Sequence, residues 1–144
     1  MTQMIFVNLP VADLAHSIAF YEAIGFIKNP TFSDETAACM VLSDTIFAML
    51  LTHPKWKSFT DKQMVGAKTH AQVVLCISRE DRGAVDAMTE TAGRAGGVAD
   101  CSPAQDYGFM YGRNFEDPDG HVWEPMWMDP QAAVEGPPAE AIAG

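Results

Sequence analysis

Glu124 is the residue of this chain whose surroundings point most directly to chemistry. It lies between Trp123 and Pro125 in an otherwise apolar run. Strand alternation places Val122, Glu124 and Met126 on one face of the predicted strand. A carboxylate on the inner face of a sheet must be paired, neutralised or bound to a cation. This setting predicts a catalytic base or a metal ligand.

Three other features could serve a site. Gln72 opens the strand predicted over residues 71–77, where its side-chain amide could contribute to a site. The alternative is that Gln72 is an ordinary polar residue at a strand end. Arg113 lies in an aromatic strand before the last hairpin. If Arg113 faces inward, it can pair with Glu124 or with an anionic ligand; otherwise its strand packs on the core. A connecting loop carries Trp56 and Phe59, and it either folds over a pocket or packs both rings on the body of the domain.

The sequence contains no local motif for metal binding or hydrolysis. The four histidines are dispersed and form no H-E-x-x-H pair. No glycine-rich phosphate loop precedes a helix, and no serine lies in a G-x-S-x-G turn. The three cysteines form no C-x-x-C pair, which indicates reduced thiols. A site assembled from distant segments would not show in such motifs.

Charge excludes two classes of partner. The 144 residues carry 9 Lys and Arg against 19 Asp and Glu, a net charge of −10. Binding to nucleic acid or to an anionic membrane surface needs clustered basic residues, so we expect neither partner. The first six residues have no positively charged signal-peptide region, and the apolar runs are too short to span a bilayer. We therefore expect a cytoplasmic protein.

The elements that must position these residues form two similar halves. In each half, an apolar strand is followed by a polar cap, an amphipathic helix and three strands. Asp13 is the expected N-cap of the first helix. Ser78 with Asp81 matches the S-x-x-D start signature of a second helix, predicted over residues 82–94. The order β-α-β-β-β is therefore predicted twice.

This repeat predicts a single domain of the α+β class over residues 1–130. Module one covers about residues 4–53, a linker covers 54–69, and module two covers about 70–129. Residues 131–144 are mainly Ala, Pro, Gly and Glu and are predicted to form a flexible tail. Pairing the two curved sheets would create a trough in which a small ligand binds.

The chain resembles the vicinal oxygen chelate superfamily, which includes lactoylglutathione lyase, bleomycin-resistance proteins, extradiol dioxygenases and fosfomycin-resistance transferases. The resemblance rests on FVNLPVAD at residues 6–13, SIAFYEAIGF at 17–26 and DPDGHVWE at 117–124. It covers roughly residues 4–129. It is specific for the superfamily but not for one reaction within it, because a fold hosts many chemistries.

The resemblance implies a ligand position in the first and in the last strand of each module, filled by His, Gln or Glu around a divalent ion. In module two these positions fall on Gln72 and Glu124, which can both bind a metal. In module one they fall on Phe6 and Leu50, which cannot. We therefore expect no cofactor, or a weakly held divalent metal. Phe6 and Leu50 would make half of the trough apolar, and a ligand would meet Asn8, Gln72 and Glu124.

Two functions are compatible with these residues. The first is a glyoxalase, bleomycin-resistance or dioxygenase-like protein that binds a small organic molecule in the trough without the four-ligand metal site. The alternative is a divalent-metal-dependent lyase, isomerase or dioxygenase of the glyoxalase type, with Glu124 as ligand or base. Whether the protein is an enzyme stays open. The resemblance also implies a homodimer, because module sheets of this superfamily often pair across chains. The alternative is that both modules of one chain close a single trough, and the sequence does not decide between the two.

Overall fold

The first half of the chain folds into the predicted β-α-β-β-β module. A computed structural model describes residues 2–139. Module one consists of β1 (Ile5–Val11), α1 (Leu14–Ala23), β2 (Ile27–Asn29), a 3₁₀ turn (Pro30–Phe32), β3 (Ala37–Val41) and β4 (Ile46–Thr52). Its sheet has the order β1-β4-β3-β2, with β1 parallel to β4 and the other pairs antiparallel. Between β4 and the next strand lies the short helix α2 (His53–Lys57).

Local signals set the start of each long helix. The Asp13 carboxylate accepts a hydrogen bond from the backbone N–H of His16 at 3.1 Å, so Asp13 is the N-cap of α1 as predicted. The second long helix, α3 (Arg82–Arg94), has the predicted bounds. Its N-cap is Asp81, which accepts from the N–H of Ala84 at 2.7 Å, whereas Ser78 ends the preceding strand.

The second module repeats the order, with one strand interrupted and one short strand, at Gln105–Asp106, that was not predicted. Its sheet contains β5 (Val74–Ser78), β6 (Val98–Ala99), β7 (Gln105–Asp106), β8 (Met110–Gly112), β9 (Phe115–Glu116) and β10 (Val122–Met128). β10 pairs in parallel with β5 on one side and antiparallel with both β8 and β9 on the other. The predicted strand before the last hairpin is thus broken between Gly112 and Phe115. Arg113 donates its N–H to the carbonyl of Pro125 at 3.2 Å, and proline has no N–H to return.

Two boundaries differ from the sequence expectations. β5 begins at Val74, so Gln72 lies just before the strand and not in it. A short helix, α4 (Pro130–Glu135), stands at the start of the predicted tail, and residues 140–144 lie outside the described residues.

One hydrophobic core serves both modules. It lies between the sheets and the two long helices and contains, among others, Phe20, Tyr21 and Phe26 from module one and Phe115 and Trp123 from module two. Tyr21 packs edge-on against both Phe26 and Trp123. The α+β class and the two tandem modules are confirmed. Within residues 2–139, none of the helices has the length and apolar character needed to cross a membrane.

Candidate functional site

Glu124 lies on the face of the second sheet that points away from the helices, called here the trough face. Its neighbours Trp123 and Pro125 are buried on the opposite face, as strand alternation requires. Across the sheet, Glu124 is in register with Cys76 of β5. Burial, together with the nearby Glu124 carboxylate, raises the pKa of the Cys76 thiol. The Cys76 sulfur in register with Glu124 is therefore a protonated thiol at neutral pH.

The trough face of module one is apolar, but Leu50 does not contribute to it. Phe6 stacks on Phe47 with ring centroids 4.4 Å apart, and Phe6 is 47% exposed. Leu50 is 0% exposed and pairs with Leu9 inside the shared core. The expectation that Leu50 lines the trough is thus corrected: a shift of one residue along a strand moves a side chain to the other face. Met49 takes the place beside Leu50 on the trough face, in register with Asn8.

Arg113 faces α3 rather than Glu124. Its guanidinium bonds the carboxylates of Asp100 at 2.7 and 3.0 Å and Asp86 at 3.0 Å, and Glu90 lies 3.6 Å away. These partners raise the pKa of Arg113, and its hydrogen bonds lower the pKa of Asp100. Arg113 is therefore committed to an ion-pair network on the helix side of the sheet. The expectation of an inward-facing Arg113 is corrected accordingly.

Asn8 and Gln72 come together in a cleft at the seam between the first strands of the two modules. The cleft has a volume of about 270 Å³ and lies between β1 and the segment that leads into β5. Most of its wall is apolar, with Val7, Val73 and Val122 among the contributors. The polar wall residues are Asn8, Gln63, His70, Gln72 and His121. Phe6, Leu50, Arg113 and Glu124 lie outside this wall.

The linker covers the cleft. Trp56 of α2 and residues of the 63–73 segment form part of its wall, whereas Phe59 is exposed. The linker aromatics were expected either to fold over a pocket or to pack on the body of the domain. Trp56 follows the first alternative, and the exposed Phe59 follows neither. Gly120 permits the close approach of this segment, because a Cβ there would lie 2.6 Å from the backbone nitrogen of Lys68.

Hydrogen bonds between the modules set the position of the cleft walls. Asp119 accepts from the N–H of Ala12 at 2.8 Å, which ties the Asp117–Gly120 turn to the end of β1. His121 Nε2 lies 2.8 Å from the carbonyl oxygen of Pro10. A carbonyl can only accept, so Nε2 carries the proton and donates. No local motif of the sequence indicates the place of His121 in this wall, because its partner Pro10 lies 111 residues away.

Comparisons with known proteins agree with this architecture. Residues 3–43 match the family model described as bleomycin resistance protein-like N-terminal. A hypothetical protein of S. aureus, SA1046, is 22% identical and superimposes with a TM-score of 0.72 over 88% of this chain and 94% of its own. A glyoxalase/bleomycin resistance protein/dioxygenase family enzyme from Burkholderia phytofirmans is 17% identical, with a TM-score of 0.69 over 88% and 99%. The chain therefore shares the fold of these proteins, and residues 3–43 are similar in sequence to the bleomycin resistance protein-like N-terminal family.

A third similar structure is that of a bleomycin-binding protein complexed with bleomycin. It is 19% identical, and its TM-score is 0.57 over 88% of this chain and 98% of its own. Identities at this level establish a shared fold but not a shared ligand or reaction, because one fold hosts many functions.

The donor set of this chain does not fit the divalent metal that the vicinal oxygen chelate superfamily implies. Among residues 2–139, no group of three or more His, Cys, Asp or Glu side chains could hold a metal ion. Gln72 lies in the cleft wall and Glu124 outside it, and the facing positions of module one are Phe6 and Met49. Tight sites for Zn²⁺ or Mn²⁺ need three or four convergent donors. We therefore derive no chemical step through a metal.

Proposed function

We propose that this chain binds a small organic molecule in the cleft between its two modules, without the four-ligand metal site of metal-dependent relatives. The observation that carries the proposal is the cleft itself. Its wall is mainly apolar, and amide and imidazole groups stand at a few points in it. Ligand sites generally have this composition, with few polar groups to orient the molecule.

The volume and the comparisons support binding of a small ligand. Typical pockets for drug-sized molecules measure roughly 300–1,000 Å³, and this cleft of about 270 Å³ lies just below that range. The bleomycin-binding protein of the same fold shows that such a fold can bind an organic compound. Side-chain amides at Asn8 and Gln72 can both donate and accept hydrogen bonds, so they could orient a polar group of the ligand.

We also propose a homodimer, supported by two exposed sheet edges. β1 and β5 each pair with one neighbour only. Large apolar side chains on these strands are exposed, with Ile5 at 58% and Val74 at 48%. Unprotected apolar edges favour pairing with another strand. Sedimentation of the wild-type chain should give a dimer, and Ile5→Lys with Val74→Lys should give a folded monomer. A monomeric wild type would contradict this proposal and leave ligand binding untouched.

A matched pair of substitutions tests ligand binding. Ala71 lies in the cleft wall and is exposed, so Ala71→Phe should fill the cleft without entering the core. Ala133→Phe places the same ring on the exposed surface of α4 and serves as the control. Ligand-observed NMR with a library of small aromatic and aliphatic fragments should detect binding to the wild type and to Ala133→Phe, and little binding to Ala71→Phe. Fragments that bind all three proteins equally, or none of them, would refute the proposal.

A further inference from the structure

We infer that the molecule bound in the cleft is an organic acid, whose apolar body occupies the cleft and whose carboxylate lies beside Lys68 in an adjoining depression. The inference rests on the proposed function, since it names the chemical class of the ligand for the same cleft. Two independent observations carry it: the distribution of positive charge along the chain, and the residues that line the depression next to the cleft.

The positive charge of this acidic protein is concentrated in the linker that covers the cleft. Four of the five lysines lie in residues 54–69, against one acidic residue, Asp61, which gives the linker a net charge of +3. The rest of the chain has 5 Lys and Arg against 18 Asp and Glu, a net charge of −13. Within residues 2–139, ion pairs are made by Arg82 and Arg113, and no linker lysine takes part in one. The linker lysines are therefore available to an anion from solution.

A second depression adjoins the cleft and is called here the side depression. Its volume is about 270 Å³, and it is lined by three residues with basic side chains, Lys68, His53 and His121. Five residues line both the cleft and the side depression: Pro10, Met64, Val65, Ala67 and His121. The two spaces are thus adjacent, so one molecule can extend from the apolar cleft into the side depression.

Among residues 2–139, Asp119 is the one acidic residue that lines the side depression, and its carboxylate already has partners. One oxygen accepts from the N–H of Ala12 at 2.8 Å, and the other accepts from the hydroxyl of Ser17 at 3.3 Å. Lys68 and the imidazole of His53 remain as donors for a ligand carboxylate. The negative charge of Asp119 repels a dianion such as phosphate more strongly than a monoanion. A single carboxylate therefore fits this depression best.

Lys68 is the linker lysine that is placed to bind the carboxylate. Lys55 lies over the ring of Phe59, with its Nζ 5.6 Å from the ring centroid. Lys57 and Lys62 line a separate, open part of the surface. Of the linker lysines, only Lys68 lines the side depression, and it is exposed. Its flexible side chain can therefore reach a carboxylate there without leaving a buried position.

A cationic ligand would gain less in the same place. The cleft wall contains no Asp or Glu side chain among the described residues, so a cation there would lose its hydration without a counter-charge. The net charge of −10 does not replace such a counter-charge, because salt screens charges that lie more than about 8–10 Å away. The charges close to the cleft are those of the linker, and these favour an anion.

Three probes with the same aromatic body test the inference: phenylacetate, phenylacetamide and the 2-phenylethylammonium ion. Dissociation constants are measured by NMR titration for the wild type, for Lys68→Gln and for Lys57→Gln. Lys57→Gln is the matched control, because it removes the same charge from the same linker while Lys57 lines neither the cleft nor the side depression. Both lysines are exposed, so neither substitution disturbs the core, and the spectrum of each variant confirms its fold before titration.

Phenylacetate should bind the wild type most tightly and 2-phenylethylammonium most weakly. Lys68→Gln should weaken phenylacetate about fivefold, the effect of one ion pair at an exposed side chain, and should leave phenylacetamide unchanged. Lys57→Gln should match the wild type with all three probes.

Four results would overturn the inference alone: phenylacetamide or the ammonium ion binding as tightly as phenylacetate, no effect of Lys68→Gln, an equal effect of both substitutions, or failure of all three probes while fragments of the library bind. Failure of the three probes together with the whole fragment library would overturn the proposed function as well.

Discussion

The hydroxyl of Tyr21 in module one donates a 2.6 Å hydrogen bond to the carboxylate of Asp117 in module two. The same hydroxyl oxygen accepts a 3.0 Å hydrogen bond from the indole N–H of Trp123. All three side chains are buried in the shared core. Asp117 also accepts from the N–H groups of Asp119 and His121 through its other oxygen, so it anchors the turn that carries one wall of the cleft. The contact between the modules and the geometry of the cleft therefore both depend on the hydrogen-bonded group of Tyr21, Asp117 and Trp123.

Removal of the Tyr21 hydroxyl should destabilise the fold. Tyr21→Phe leaves Trp123 without its acceptor and deprives a buried oxygen of Asp117 of its donor. Leaving such groups unsatisfied costs about 1–3 kcal/mol each. We expect the free energy of unfolding, measured in urea, to fall by about 2–4 kcal/mol. Tyr107→Phe is the control, because Tyr107 is exposed, and it should change stability little. Equal midpoints for the two variants would contradict this role of Tyr21.

The ionisation of Asp117 should make stability depend on pH. Burial raises the pKa of Asp117, although the positive charge of His121 and the Tyr21 hydrogen bond oppose the increase. The folded state then binds a proton more tightly than the unfolded state, so the stability contribution is full below the unfolded pKa and is lost as pH rises through the folded pKa. Relative to Asp117→Asn, the wild type should lose stability as pH rises from about 4 towards neutrality.

The comparison with Asp117→Asn isolates this one group. Asp86, Asp100 and Asp106 have lowered pKa values because Tyr111 or Arg side chains bond them, and they contribute in the opposite direction. Those contributions are common to both proteins and cancel in the difference. Urea unfolding of both proteins across this pH range measures that difference. A difference that does not change with pH would show that Asp117 does not titrate in the way expected.

Gly120 should be intolerant of a side chain for two separate reasons. Its φ is +100°, and a Cβ would meet the backbone of Ala67 at 2.7 Å and of Lys68 at 2.6 Å. Gly108 also has positive φ, +81°, but nothing lies within 4 Å of its Cβ position. Gly108→Ala should therefore show only the backbone cost of about 1–2 kcal/mol. Gly120→Ala should cost more and should displace the linker from the cleft, seen as a change in tryptophan fluorescence that is absent when Trp56 is replaced by Phe. Equal losses of stability in Gly120→Ala and Gly108→Ala would show that the linker can shift away from residue 120 at little energetic cost.

Divalent metal should have little effect on this protein. The protein purified without a histidine tag should contain much less than one equivalent of metal by elemental analysis, because no group of three or more His, Cys, Asp or Glu side chains within residues 2–139 could hold a metal ion. Addition of Zn²⁺ or Mn²⁺ after chelation should leave the melting temperature unchanged, and Glu124→Gln should behave as the wild type does. Stoichiometric metal that is lost in Glu124→Gln would establish the metal-dependent alternative instead.

The sequence by itself determined the order of the elements and much of their local geometry. Asp13 and Asp81 mark helix starts because a short side chain there can accept from the free N–H groups of the first turn. The alternation around Glu124 predicted that its side chain and that of Trp123 lie on different faces of the sheet, since successive side chains of a strand point to opposite faces. These signals act over a few residues, so a sequence displays them directly.

Only the tertiary structure decided which of the candidate residues share a site. Leu50 and Arg113 were predicted to line the site but lie outside it. A strand pattern defines two faces and does not state which of them meets the helices. Asn8, Trp56 and Gln72 came together in one cleft through contacts between segments far apart in the chain. Hydrogen bonds such as Tyr21 to Asp117 span 96 residues. Their formation depends on the packing of both modules around one core, which no local pattern encodes.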